Sequence, residues 1–378
     1  MSEKQGYRAE LDLNHEQMTL ARKHCGAARF AYNYGLRRKQ QAYKAGKKTP
    51  SAIDLHRELN ALKKTDIPWA YEVSKCAMQE ALRDLDNAFK HFFRKVALKK
   101  QGKHKGKCGY PKFKSKKKAL GGARFTGSIR VYPDAIQLPR MGLLRLKECE
   151  YLPMNAHVGS ATLSEKAGRW YVSICVHEEQ AEPLPATGPI IGVDLGIKTL
   201  AACSDGRTFD NPKALRSRLN ALKRASRAHS RKKKGSQNRK KAQRRLARVH
   251  ARISHIRRDA LHKATSQIVA KTKPDQQRPR VIVLEDLHIQ GMLKNRKLSR
   301  AIADVGLYEF RRQIEYKARS AGVAVQTVSR WFPSSKTCSG CGTVKEELAL
   351  SERTFVCEAC GLTLDRDLNA ARVLAASV

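Results

Sequence analysis

Four cysteines in two matched pairs constrain this chain most tightly. "KTCSGCG" carries Cys338 and Cys341, "FVCEACG" carries Cys357 and Cys360, and 15 residues separate the pairs. Each C-x2-C turn presents two thiolates from one knuckle, and two knuckles complete the tetrahedral set of soft donors that zinc prefers. Gly342 and Gly361 follow the pairs, where the backbone has to turn sharply around the metal. A site closed by four thiolates leaves no open position for a substrate, so this one serves structure. The other six cysteines, Cys25, Cys76, Cys108, Cys149, Cys175 and Cys203, are scattered. They read as buried thiols of a protein in a reducing compartment.

Charge narrows the partners. The 378 residues hold 76 Lys and Arg against 34 Asp and Glu, a formal net charge of +42. Such an excess repels itself unless a polyanion relieves it, and a phosphate backbone does so with release of counterions. Disorder is the bland alternative, but 41% of the residues are hydrophobic and apolar periodicity runs through most of the chain. The N-terminal "MSEKQGYRAE" has no apolar core of a signal peptide, and no stretch approaches the ~20 apolar residues of a membrane span. A cytosolic location and no membrane partner are expected.

Residues 4–14 read as one strand. From His15 the period becomes helical, through "ARFAYNYGLRRKQQAY" to "KCAMQEALRDLDNAFKHFFRK", where Met78, Leu82, Leu85, Phe89 and Phe92 share one face. The helices are expected to end near Lys95. A basic, aperiodic stretch follows, then short alternating runs ("SIRVYP", "LLRLKE", "RWYVSICVHE") that read as strands of a small barrel or sheet. Helices inserted into a β domain are the simplest arrangement. The Pro-rich "EPLPATGP" marks a boundary.

Beyond it, "PIIGVDLGI" and "RVIVLEDL" are apolar β-runs that each meet an acid. Between them two helical segments flank "RKKKGSQNRKK", a helical hairpin over 214–263. Residues 216–263 hold 19 Lys and Arg and a single acid, Asp259, which reads as an arm for a nucleic-acid backbone. Hydrolysis of a phosphodiester by paired divalent ions needs carboxylates from different elements converging on one point. Asp194, Glu285 and Asp367, the last in "LDRDLNAARVL", are the candidates. Acids also commonly end strands, and Asp365 or Asp367 can simply cap a helix.

Taken together, "GVDLGIKTLA", "VLEDL", "FPSSKTCSGCG", "CEACG" and "DRDLNAA", in that order, closely resemble the TnpB family, the transposon-associated ancestor of type V CRISPR effectors. The likeness extends to the first half through "ARFAYNYGL", "ALRDLDNAFKHFFRK" and "GYPKFK". It implies an α/β multidomain protein. An RNase-H-like RuvC nuclease domain (187–332 and 363–378) would carry an inserted zinc ribbon (333–362). An N-terminal β-barrel, wedge-like domain (1–14 and 100–182) would carry a helical recognition insert (15–99).

The implied activity is RNA-guided cleavage of double-stranded DNA beside a short transposon-adjacent motif. A guide RNA from the transposon end would supply most of the specificity, with one protein copy in the RNA complex. Asp194, Glu285 and Asp367 would hold Mg2+, two ions in the implied chemistry, and one Zn2+ would sit on the four cysteines. Asp367 is preferred to Asp365 because it stands two before Asn369. Lys75 and Gln79, four apart on a helix, are candidate readers of the flanking motif, since Gln suits adenine and Lys guanine or phosphate. Lys99–Lys118, notably Lys112 and Lys114, and the arm residues Arg231, Lys232, Lys233, Lys240, Arg244 and Arg245 would hold backbone. Rival readings are a nuclease-inactive RNA-guided repressor, a strand-joining transposase and a zinc-ribbon RNA-binding protein. Intact acids argue against the first and third. A small type V CRISPR effector is close kin that these residues do not separate.

Overall fold

The computed structural model describes residues 2–116, 120–154, 156–179, 183–270, 272–349 and 351–378. The chain divides into two compact units, Met1–Gln180 and Ala181–Val378.

The first unit opens with β1 (Ser2–Asp12) and three helices, α1 (His15–Lys44), α2 (Ala52–Leu62) and α3 (Lys75–Lys100). Local chemistry starts the first two. Asn14 caps α1 in a capping box with Gln17, and Ser51 caps α2 in one with Asp54, each pair satisfying orphan backbone N–H groups. Six strands follow: β2 (Gly122–Phe125), β3 (Arg130–Val131), β4 (Ala135–Leu138), β5 (Gly142–Leu146), β6 (His157–Lys166) and β7 (Arg169–Glu179). They join β1 in one antiparallel sheet of order β2-β6-β7-β1-β5-β4-β3. The N-terminal strand is thus central, and the helices interrupt a β domain. The ladder leaves β2 and β3 as separate edges among the described residues, so its hydrogen bonding does not close a barrel.

Met78, Leu82 and Leu85 of the predicted stripe are buried, while Phe89 and Phe92 pack on Tyr110 at ring-centroid distances of 5.6 and 5.2 Å. That cluster carries α3 past Lys95 to Lys100. Fully buried His24 joins the helices. Its Nδ1 donates to the Leu20 carbonyl (2.8 Å) and its Nε2 accepts from the Ser74 N–H (2.9 Å), just before α3. Burial lowers its pKa, which keeps the ring in the neutral form that these two bonds require. The six lone cysteines are not uniformly buried: Cys149, in the turn after β5, is exposed, and Cys108 and Cys175 are half-buried.

The second unit contains β8 (Gly188–Leu195), β9 (Thr199–Cys203) and β10 (Thr208–Asp210), then helices α4 (Ala214–Ser230) and α5 (Gln237–Val269). After these come β11 (Pro279–Glu285), α6 (Ile289–Met292), α7 (Ser299–Val305), α8 (Leu307–Arg319) and β12 (Ala324–Val328). Short strands β13 (Thr354–Val356) and β14 (Thr363–Asp365) lead into α9 (Arg366–Ala376). The sheet order is β10-β9-β8-β11-β12, with β8, β11 and β12 parallel and β9 and β10 antiparallel. The basic hairpin is α4 and α5, and α5 runs beyond residue 263 because Leu261, Ala264, Ile268 and Val269 enter the core.

Asp304 anchors the hairpin. Lys213 precedes α4 in a left-handed conformation and caps nothing, so buried Asp304 accepts the Leu215 N–H (2.9 Å) in its place. Arg257 of α5 grips the same carboxylate (2.7 Å) and the Asp304 carbonyl (2.7 Å). Removing one partner of such a buried pair typically costs about 3–5 kcal/mol. Asp304→Ala is therefore expected to lower the melting temperature by several degrees, and Asp304→Asn, which keeps an acceptor, by less. Calorimetry of the two variants checks this ordering.

Candidate active site

Asp194 lies in β8 and Glu285 ends β11, the parallel neighbour, where Leu284 pairs with Val193. That register sets Glu285 beside Asp194. Asp367 comes from the first turn of α9, which packs across β8. Gly192 permits the packing: a Cβ there would strike the Ala371 carbonyl and approach the Ala375 nitrogen to 2.6 Å. Ala371 is one helical turn beyond Asp367, so this glycine governs how near the third acid comes to the other two.

The electrostatics register the convergence. Burial, then the charges of Glu285 and Asp367, push the Asp194 carboxyl up to about 7, with Arg366 as an opposing cation. Among the described residues the one group of His, Cys, Asp or Glu side chains gathered closely enough to hold an ion together is the cysteine cluster, whose ligand atoms all lie within 4.8 Å.

Neighbouring acids are occupied elsewhere. Asp365 caps α9, accepting the N–H groups of Asp367 (2.9 Å) and Leu368 (3.1 Å). Asp286 is held by Arg311 (3.1 Å) and by Arg330, and hydrogen bonds from Arg330 and then Arg311 lower its pKa. Glu285 instead accepts the Ser334 hydroxyl. Sequence reasoning missed Ser334, Gly192 and the anchoring role of Asn369. All three lie in quoted motifs, yet nothing local marks what they touch.

The four cysteines form one cluster. Cys338 and Cys360 Sγ are 3.6 Å apart, as are Cys341 and Cys357 Sγ. Tetrahedral zinc at ~2.3 Å from each sulfur needs separations of about 3.8 Å, so the donor set fits. Gly342 and Gly361, at φ +79° and +73°, close the turns by donating to the Cys338 and Cys357 carbonyls (2.9 Å each). Fully buried Asn369 ties the first knuckle to α9. It accepts from the Ser339 N–H (2.9 Å) and donates to the Thr337 carbonyl (2.7 Å). The metal knuckle and the helix bearing Asp367 thereby share one rigid link.

Other predicted residues sit apart from this centre. Lys75 is exposed at the first position of α3 and Gln79 is half-buried one turn on, with Lys63 and Arg83 near enough to help hold the His56 pKa down after burial. The Nε2 of His56 is buried without a hydrogen-bond partner among the described residues. Lys112 and Lys114 are both exposed overall, but the Lys114 ammonium lies 3.9 Å over the Tyr32 ring, and its partial desolvation there lowers its pKa. Residues 117–119, the end of that basic stretch, lie outside the described residues. Arg231, Lys232, Lys233, Lys240, Arg244 and Arg245 are all exposed on the hairpin.

Residues 173–296 match the family model "Probable transposase", residues 308–374 match "Cas12f1-like, TNB domain", and residues 1–48 match "Helix-turn-helix domain". The last span holds one strand and a single 30-residue helix here, not two helices. A "Putative RNA-guided DNA endonuclease" of Streptomyces pristinaespiralis is 38% identical over 358 residues, covering 93% of this chain and 84% of the relative. The chain belongs to the TnpB family. Another relative, the "Putative RNA-guided DNA endonuclease InsQ" of Escherichia coli (strain K12), is 30% identical and covers 100% of this chain and 93% of its own length. In fold, this TnpB-family chain resembles the protein of a "Cas12f1-sgRNA-target DNA complex", with a TM-score of 0.57 over 99% of both chains at 12% identity.

Two outcomes check the site. Elemental analysis is expected to find one zinc per chain, and replacing Cys338 and Cys341 together by Ser to abolish it. The raised Asp194 pKa also gives a pH signature. Between the usual carboxylate range near 4 and about 7, the folded chain keeps a proton that the unfolded chain has released, so stability without Mg2+ falls as pH rises through that window. Asp194→Asn removes the liability. Its melting-temperature advantage over the parent is expected to grow by several degrees from pH 5 to pH 8, measured with zinc retained and Mg2+ absent.

Proposed function

We propose that this chain is an RNA-guided DNA endonuclease that hydrolyses target double-stranded DNA at a centre formed by Asp194, Glu285 and Asp367. The observation that carries the reading is the meeting of these three acids from separate elements, with Asp194 pushed up to about 7 by burial and by the other two. Like charges crowded at a buried site are costly, here with Arg366 offsetting only part of the repulsion, and a functional centre is the common reason to retain them. The family supports the same reading, since relatives covered over most of their length are named for RNA-guided DNA cleavage.

In this reading the second unit is an RNase-H-like RuvC domain interrupted by the zinc ribbon, and the sheet order with its antiparallel β9 and β10 supports it. The first unit combines the wedge-like sheet with the recognition helices. Divalent ions held by the three carboxylates would supply the positive charge that activates water and stabilises the leaving oxygen. Asp194, between the other two acids, would bridge that charge. Ser334, by donating to Glu285, would fix which of its oxygens faces the centre. Arg366 would offset residual negative charge, and Asn369 would keep Asp367 in place. Lys75 and Gln79 would read the flanking motif, and the exposed hairpin cations would bind phosphates without reading bases.

The test is Mg2+-dependent cutting of a plasmid library with a fixed target beside randomised flanks, using protein co-expressed with its native transposon-end RNA. Cleavage confined to one flanking motif is expected, and Asp194→Ala is expected to abolish it while sparing guided binding. Lys75→Ala and Gln79→Ala are expected to alter the motif preference. Binding without cutting by the parent protein would overturn the nuclease and favour a repressor; joined rather than cut ends would favour a transposase.

A further inference from the structure

Between β12 and the first zinc knuckle the chain reads Ser329-Arg330-Trp331-Phe332-Pro333-Ser334. This segment is held at several points. The Phe332 N–H donates to the Ser329 carbonyl (2.9 Å), the Thr337 N–H to the Pro333 carbonyl (3.0 Å), Arg330 to Asp286, and the Ser334 hydroxyl to Glu285. Trp331, in the middle, is nevertheless 86% exposed, more than any other large apolar side chain among the described residues, whereas Trp170 is buried. Its ring has no aromatic or cation–π partner among the described residues. A fixed backbone is therefore presenting a bare indole to solvent, the reverse of what burial favours.

Its place in the fold limits what it meets. Trp331 is three residues after Val328, which pairs with Glu285, and three before Ser334, which hydrogen-bonds Glu285. Three residues span at most about 11 Å, so the Trp331 backbone is tethered within that reach of the two residues that flank Glu285, Val328 and Ser334. In sequence Arg330 precedes it and Lys336 follows five residues on, in a chain of net charge +42.

We propose that Trp331 is a stacking platform for an unpaired nucleobase of the strand lying at the carboxylate centre, a proposal that rests on the nucleic-acid reading above. Bases inside a duplex already have both faces covered, so only an unpaired base can place its face on the indole. Stacking on an aromatic ring is tolerant of sequence because every base has a π-face. The platform thus selects single-stranded over paired DNA at the cut without adding sequence preference. It is a positioning residue, since the ring holds the base rather than the reacting phosphate.

The experiment uses the full chain with its co-expressed RNA in an Asp194→Ala background, so that no cutting intervenes. Short single-stranded oligonucleotides carrying 2-aminopurine, and the same oligonucleotides as duplexes, are titrated by fluorescence. Trp331→Ala is expected to weaken single-strand binding about tenfold or more, to abolish the quenching of one 2-aminopurine position, and to leave duplex affinity unchanged. Trp331→Phe is expected to recover most of both. In the cleavage-competent protein Trp331→Ala is expected to raise KM for single-stranded substrate with kcat little changed. Unchanged single-strand affinity, or equal losses for single strand and duplex, would overturn the proposal. Trp331-dependent single-strand binding in a parent protein that never cuts would support the platform and sink the nuclease reading alone.

Discussion

Like charges brought together in a partly dry site repel, and the second unit is organised around that repulsion. Asp194 sits on a central strand with Glu285 on the next and Asp367 on a helix laid across them, and its carboxyl is pushed up to about 7. Holding the third acid near requires α9 to approach β8 more closely than any side chain at position 192 would allow. Stability and proximity therefore oppose each other here. The Asn369 bonds to the zinc knuckle and the Ser334 bond to Glu285 are contacts from outside the sheet that keep the three acids in place.

The same region shows how neighbouring acids divide their work. "ED" and "DRD" each offer more than one carboxylate. Asp286 is gripped by two arginines and Asp365 is turned back onto the helix N-terminus, while Glu285 and Asp367 form no salt bridge among the described residues. An acid already neutralised by guanidinium groups has little field to offer a divalent ion. One left beside other carboxylates has a strong one.

Positive charge follows a different logic. Most cations on the hairpin are exposed, while the anchor beneath them pairs buried Asp304 with half-buried Arg257 through two hydrogen bonds. A rigid base with a solvated, cationic outer part can follow a polyanion without loss of fold. Lys114 illustrates the limit of counting charges: it belongs to a basic run, yet its ammonium lies over Tyr32.

Much of this was legible in the sequence because its causes are local. The stripe from Met78, the two β-runs that meet acids and the paired C-x2-C knuckles all act within a few residues, so spacing alone reveals them. The centrality of β1, the open ladder, the exposure of Cys149 and Trp331, and the extension of α5 to Val269 depend on partners distant in the chain. So do the roles of Gly192, Ser334 and Asn369, and the choice between adjacent acids. By itself the sequence determined which residues could do the chemistry. Only the tertiary structure decided which of them meet, because a contact across more than a hundred residues is set by packing and register, not by the identity of neighbours along the chain.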